Sequence, residues 1–119
     1  LSLISQETIA ALSEETNRNL ETKRFRPNIV VEILDGNPFT EDTWVGRRLK
    51  FGTSPDAPTM HVTERDIRCV MVNIDPITLE KDASVLKTIA QQHNNCLGIY
   101  GSVERKGRIR VGDIITLTD

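Results

Sequence analysis

The sequence predicts a β-rich α+β fold, a barrel-like sheet with two short helices outside it. Three observations carry that expectation. About six short apolar stretches alternate or run together in strand fashion, only two segments repeat apolar residues at helical spacing, and Gly, Pro, Asn and Asp punctuate the intervals. With 119 residues, 38% hydrophobic and 27% charged, the chain suits a single domain over residues 1–119 that buries one core.

The elements follow in order. LSLIS alternates as a strand from Leu1, with no charged segment ahead of it, so it reads as the interior of a longer domain rather than as a signal peptide. The expectation is therefore a barrel lacking N-terminal strands. In SQETIAALSEETNRNL, Ser5 is placed to cap a helix, Glu7 falls in its first turn, and Ile9, Leu12 and Thr16 share a face. NIVVEIL reads as a mostly buried strand, ended by the turn DGNPF. RRLKF, TMHV and RCVMVNI read as further strands, separated by GTSPDAP and by charged residues. Asp82 can cap a second helix whose apolar stripe is Val85, Leu86, Ile89 and Ala90, with HNN at its end. LGIYGSVE and GRIRVGDIITLT then flank RKG, where Gly107 can supply the positive φ of a hairpin. RVGD is itself a turn signature, with Gly112 taking the special φ and Asp113 bonding back to the backbone.

Composition excludes several functions. A net charge of −2, a pI near 5.7 and 4% aromatics offer neither a basic surface nor stacking rings for nucleic acid. No run of eighteen apolar residues crosses a membrane. Two cysteines, 27 positions apart, are too few for a disulfide scaffold and read as reduced thiols in a cytoplasm. His61, His93, Cys69 and Cys96 lack the spacing of a zinc set, and Walker, G-x-S-x-G and G-x-G-x-x-G motifs are absent. In PFTEDTW, Glu41 and Asp42 read as loop caps, and Trp44 as a core or lid anchor.

Three clusters carry chemistry. Cys69 heads an apolar run behind the charges of ERDIR; if that run is a strand, Cys69 shares a face with Met71 and Asn73, and Arg68 points away from the thiol. A soft thiolate suits a redox-active metal or a nucleophile when cations lower its pKa from about 8.5, whereas a buried free cysteine is simply a small hydrophobe. In KRFRPN, an extended backbone sends Arg24 and Arg26 to one side, two guanidinium forks able to converge on a phosphate; Glu21 and Glu32 offer the alternative of surface ion pairs. The start of the first helix, with the Ser5 and Thr8 hydroxyls, is either an anion cradle or a plain N-cap.

RFRPNIVVE, PFTEDTW, RDIRC, NIDPITL, LGIYGSV and GRIRVGD follow one another in an order and spacing that resemble the MOSC family, the C-terminal domain of molybdenum cofactor sulfurases, and that are similar to the mitochondrial amidoxime reducing component and its bacterial iron-sulfur relatives. The resemblance runs from about Leu3 to Leu117. It implies a β-barrel-like domain in which Cys69 carries sulfur or ligates the molybdenum of a pterin cofactor, with Ser5, Thr8, Arg24, Arg26, Asn28 and Arg68 around the pterin and its phosphate. Two departures stand out: members usually have a further segment upstream, and relatives of the reducing-component type often carry a second cysteine where this chain has Asp66. The leading expectation is a cytoplasmic molybdenum-cofactor binding or sulfur-carrier domain. The alternative is a non-catalytic interaction or anion-binding domain that has kept the barrel and lost the cofactor. Neither reading places pyridoxal phosphate on this chain. A redox or sulfur-donor protein is the expected partner, because the chain has no flavin, haem or iron-sulfur motif of its own. A second copy in a two-fold dimer is the simplest cover for an open sheet edge.

Overall fold

In the computed structural model, which describes residues 1–119, the first strand lies inside the sheet rather than at its rim. β1 (Ser2–Ser5) is buried along its whole length. It pairs in parallel with β2 (Ile29–Val31) on one side and antiparallel with β5 (Cys96–Arg105) on the other. β4 (Thr59–Ile67), β3 (Arg48–Phe51) and β6 (Ile115–Thr118) continue the sheet in the order β2-β1-β5-β4-β3-β6. The six strands curl into a half-barrel with two helices, α1 (Gln6–Thr16) and α2 (Ser84–Gln92), in keeping with the β-rich expectation. Irregularities in the β4–β5 register mark where the longest pair bends.

The period of two along the strands divides the core between the two faces of the sheet. Leu3, Ile99, Met60, Val62, Leu49 and Phe51 cluster with Val31 and Ile33. Ile4 and Leu97 point the other way and meet Ile9 and Leu12 of α1, Val85 and Ile89 of α2, and Leu20, Phe25 and Val72 from the connections. The sequence suggested one core; the folded chain has two apolar clusters with the sheet between them. Truncating a fully buried leucine such as Leu12 to alanine costs about 2–5 kcal/mol by lost transfer and the cavity left behind.

Three expectations need correction. RCVMVNI is not a strand: β4 ends at Ile67, opposite the first residue of β5, Cys96, so beyond it the ladder has no partner. Residues Val70–Asn73 close instead into a 3-10 turn, and the Asn73 side chain accepts from Leu86 N–H at 2.9 Å, capping the first turn of α2. KRFR is not extended: Thr22–Phe25 forms a second 3-10 turn. Finally, β5 and β6 make no hairpin. Both edges of β5 are taken by β1 and β4, so β6 pairs with the open edge of β3. Gly107 serves a close approach there rather than a positive φ, since a Cβ on it would meet Pro58 Cγ at 2.5 Å. NIVVEIL is paired only over Ile29–Val31, with Val30 and Leu34 exposed.

Candidate functional site

One end of the sheet gathers Cys69, Arg68, Ser5 and Thr8. β4 stops at Ile67, β5 starts at Cys96, and β1 runs out into α1 at Ser5, all at this end. Cys69 follows the end of β4 by two residues and occupies the N-cap position of the Val70–Asn73 turn. It is exposed, whereas Cys96 is buried, so only one thiol can meet a solute.

The Cys69 loop is tied down from both sides by arginines that run in opposite directions. Arg68 donates through Nε to Leu97 O at 2.9 Å and through Nη1 to Phe25 O at 2.7 Å. Its Nη2 lies 3.1 Å from Asp66 Oδ2, and its guanidinium sits over the Phe25 ring at 5.6 Å. Arg24, one residue before Phe25, donates back to Val72 O at 3.1 Å and faces Asp75 at 3.5 Å. The segments 24–25 and 68–72 are thus cross-tied, each supplying a guanidinium to a carbonyl of the other. Gly98, at φ +80, belongs to this arrangement: a Cβ there would lie 2.8 Å from Leu3 O and 3.5 Å from Arg68 Nη2.

Burial governs the charges beneath the thiol. Arg68 is pushed below the usual guanidinium range by loss of water, and the charges of Asp66, Tyr100 and Cys69 pull it back. Because β4 ends at Ile67 and Val70–Asn73 forms a 3-10 turn, the strand-based placement of Arg68 on the face opposite the thiol does not hold. Asp66 is 3% exposed; burial pushes its carboxyl up and Arg68 opposes the shift.

The helix N-terminus is an anion site, and the chain fills it with its own carboxylate. Ser5 is the N-cap of α1, its Oγ accepting from Thr8 N–H. Glu41 is fully buried and accepts from Ser5 N–H at 2.7 Å, Ser5 Oγ at 2.9 Å and Thr8 Oγ1 at 2.9 Å. Glu41, read from the sequence as a cap of its own loop, caps a helix 33 residues earlier in the chain. Its neighbour Asp42 is half-buried and pushed up by desolvation, with Arg65 at 3.5 Å opposing the shift.

Arg24 and Arg26 do not converge side by side. Arg24 is buried, with its Nε unpartnered, while Arg26 is exposed and in no ion pair. Arg26 also has left-handed backbone, φ 50 and ψ 47, immediately before Pro27, a sparsely populated conformation of the kind that clusters at functional sites. Asn28 is anchored to β1: its Oδ1 accepts from Ser2 N–H at 2.8 Å. Exposed Cys69 and exposed Arg26 are therefore the two groups turned outward, and the Arg68–Phe25 hydrogen bond links the segments that carry them. No group of three His, Cys, Asp or Glu converges to hold a bare metal ion.

Sequence reasoning missed Asp66 and the buried role of Glu41. A signal existed for the first, because Asp66 and Arg68 are two apart next to a strand, on one face. For Glu41 there was none, since its partners are more than 30 positions away.

The family model of the MOSC domain matches residues 1–116. Molybdenum cofactor sulfurase from Caenorhabditis elegans is 32% identical over 115 residues, 95% of this chain and 15% of that protein. Mitochondrial amidoxime reducing component 2 from Homo sapiens is 29% identical over 126 residues, 95% of this chain and 35% of that protein. The chain thus corresponds to a minor part of the curated relatives it matches. Two solved structures share its fold at a TM-score of 0.68: the YuaD protein from Bacillus subtilis, 15% identical, covering 98% of this chain and 62% of that one, and YiiM from Geobacillus stearothermophilus, 18% identical, covering 100% and 54%.

Proposed function

Because this chain belongs to the MOSC domain family, we propose that it binds a molybdenum-cofactor-type pterin, with Cys69 as the sulfur that ligates the metal or carries persulfide. The observation that supports this most is the placement of Cys69: an exposed thiol on a turn held by Arg24 and Arg68, at the sheet end where α1 begins. The donor set fits such a group. With one outward thiol and no cluster of further ligands, the chain suits a metal that arrives with its own dithiolene sulfurs and needs a single soft ligand from protein. When bound, the cofactor would supply redox-active metal chemistry that the side chains lack. Arg26, exposed and without a carboxylate partner, is assigned the pterin phosphate, and Asn28 the backbone around it. Arg24 and Arg68 are assigned the orientation of Cys69. Ser5 and Thr8 act on the site only through Glu41 and the fixed start of α1.

The test is pterin content. Freshly purified protein, denatured and oxidised, should release fluorescent pterin, and Arg26→Ala should lower retention about tenfold or more, as expected for loss of a hydrogen bond to a charged group. Protein that folds normally and holds no pterin after expression in a host making the cofactor would contradict the reading. It would then favour the alternative, an interaction or anion-binding domain without the cofactor. One observation already speaks for that alternative: the Ser5 and Thr8 oxygens are taken up by Glu41.

A further inference from the structure

Away from Cys69, the half-barrel opens at its other end into a cleft of about 250 Å³. Phe51 and Met60, both members of the apolar cluster on this face of the sheet, form part of its wall, and Leu1, Ile29, Val103 and Ile109 complete the apolar lining. Arg105 and Lys106 also line it, and among its eleven lining residues there is no Asp or Glu. Neither cation is ion-paired: Arg105 donates to Pro55 O at 2.8 Å, and the acids nearby are committed elsewhere, Glu104 to Arg48 at 2.8 Å and Asp113 to Arg110 N–H at 2.8 Å. Arg108 and Arg110, exposed and unpaired on the same connection, extend the positive field in a chain whose overall charge is −2. None of the residues assigned to the Cys69 centre lines this cleft.

The mouth of a β-barrel is a recurrent place for small ligands, which sit in apolar walls and are oriented by a few polar groups. Here the walls are aliphatic and aromatic, and the oriented charge is positive only. The geometry points to a second binding site, for a single-chain apolar molecule ending in an anionic head such as a carboxylate. Its tail enters between Phe51, Met60 and Ile109, and its head rests against Arg105 and Lys106. The cleft is short, so medium-length chains fit it best.

Octanoate should bind, as followed by isothermal titration. Affinity should rise about fourfold per methylene from hexanoate until the cleft is full. 1-Octanol and octyltrimethylammonium should bind roughly tenfold or more weakly, and Lys106→Glu combined with Arg105→Glu should abolish that preference while leaving the pterin content of the Cys69 site unchanged. Equal affinity for the anionic and cationic amphiphiles, or no dependence on chain length, would overturn the proposal. Binding to phosphatidylglycerol vesicles with none to octanoate would also overturn it, making the basic connection a surface contact rather than the rim of a site.

Discussion

At the scale of single residues, two arginines that look alike in the sequence differ once folded. Arg24 is 9% exposed and holds Val72 O, whereas its neighbour two places on, Arg26, faces solvent. Arg24→Ala should therefore lower stability by about 2 kcal/mol, combining a lost hydrogen bond with lost packing, and Arg26→Ala should leave it within about 0.5 kcal/mol. Urea denaturation measures both; equal losses would mean that the buried tie to the Cys69 loop contributes nothing special. The motif KRFRPN could be read as a pair of arginines, but not which guanidinium turns inward. That depended on a 3-10 turn and a left-handed residue that no alternation pattern announces. Cys69 was legible as the thiol to watch, and its exposure was not, because the apolar run behind it reads as a strand.

At the scale of elements, the two helices were found where the sequence placed them, since capping and apolar spacing are local signals. Ser5 caps α1 as expected, and Asp82 accepts from both Ser84 N–H and Ser84 Oγ at the start of α2, although the N-cap position itself falls at Ala83. These bonds hold the Asp82 carboxyl below its usual range. A depressed carboxyl contributes stability above its unfolded pKa, near 4, and loses it as pH falls through the lower folded value. Asp82→Ala should cost about 1 kcal/mol at pH 7 and flatten the acid limb of the unfolding curve, as followed by circular dichroism. An unchanged acid limb would show that the cap does not titrate with folding. Glu41 is the non-local counterpart. Glu41→Ala leaves the buried Ser5 and Thr8 hydroxyls without their acceptor and should cost about 3 kcal/mol or more by the same urea assay, against less than about 1 kcal/mol for a mere loop cap. The strands were harder. RCVMVNI carries a strand pattern but lies past the end of its partner, and whether a partner exists is a property of the sheet, not of the segment.

At the scale of the whole molecule, a β-rich sheet with two helices could be read from the number and kind of segments, but the strand order could not. The sequence places β5 and β6 next to each other, yet β6 lies at the far edge against β3, because β5 is already flanked on both sides. β2 forms the other edge. The six-motif resemblance succeeded where strand counting could not, since it drew on the whole chain at once, and the MOSC domain match spans residues 1–116. Within this fold the proposed function rests on one sulfur: the exposed Cys69, and not the buried Cys96, is the thiol assigned to the metal. The direct measurement is molybdenum per chain after gel filtration of protein produced in a host that makes the cofactor. The account predicts near-stoichiometric metal in the wild type and in Cys96→Ser, with at least a tenfold loss in Cys69→Ser that keeps the wild-type circular dichroism. Equal molybdenum in the two cysteine variants would contradict it.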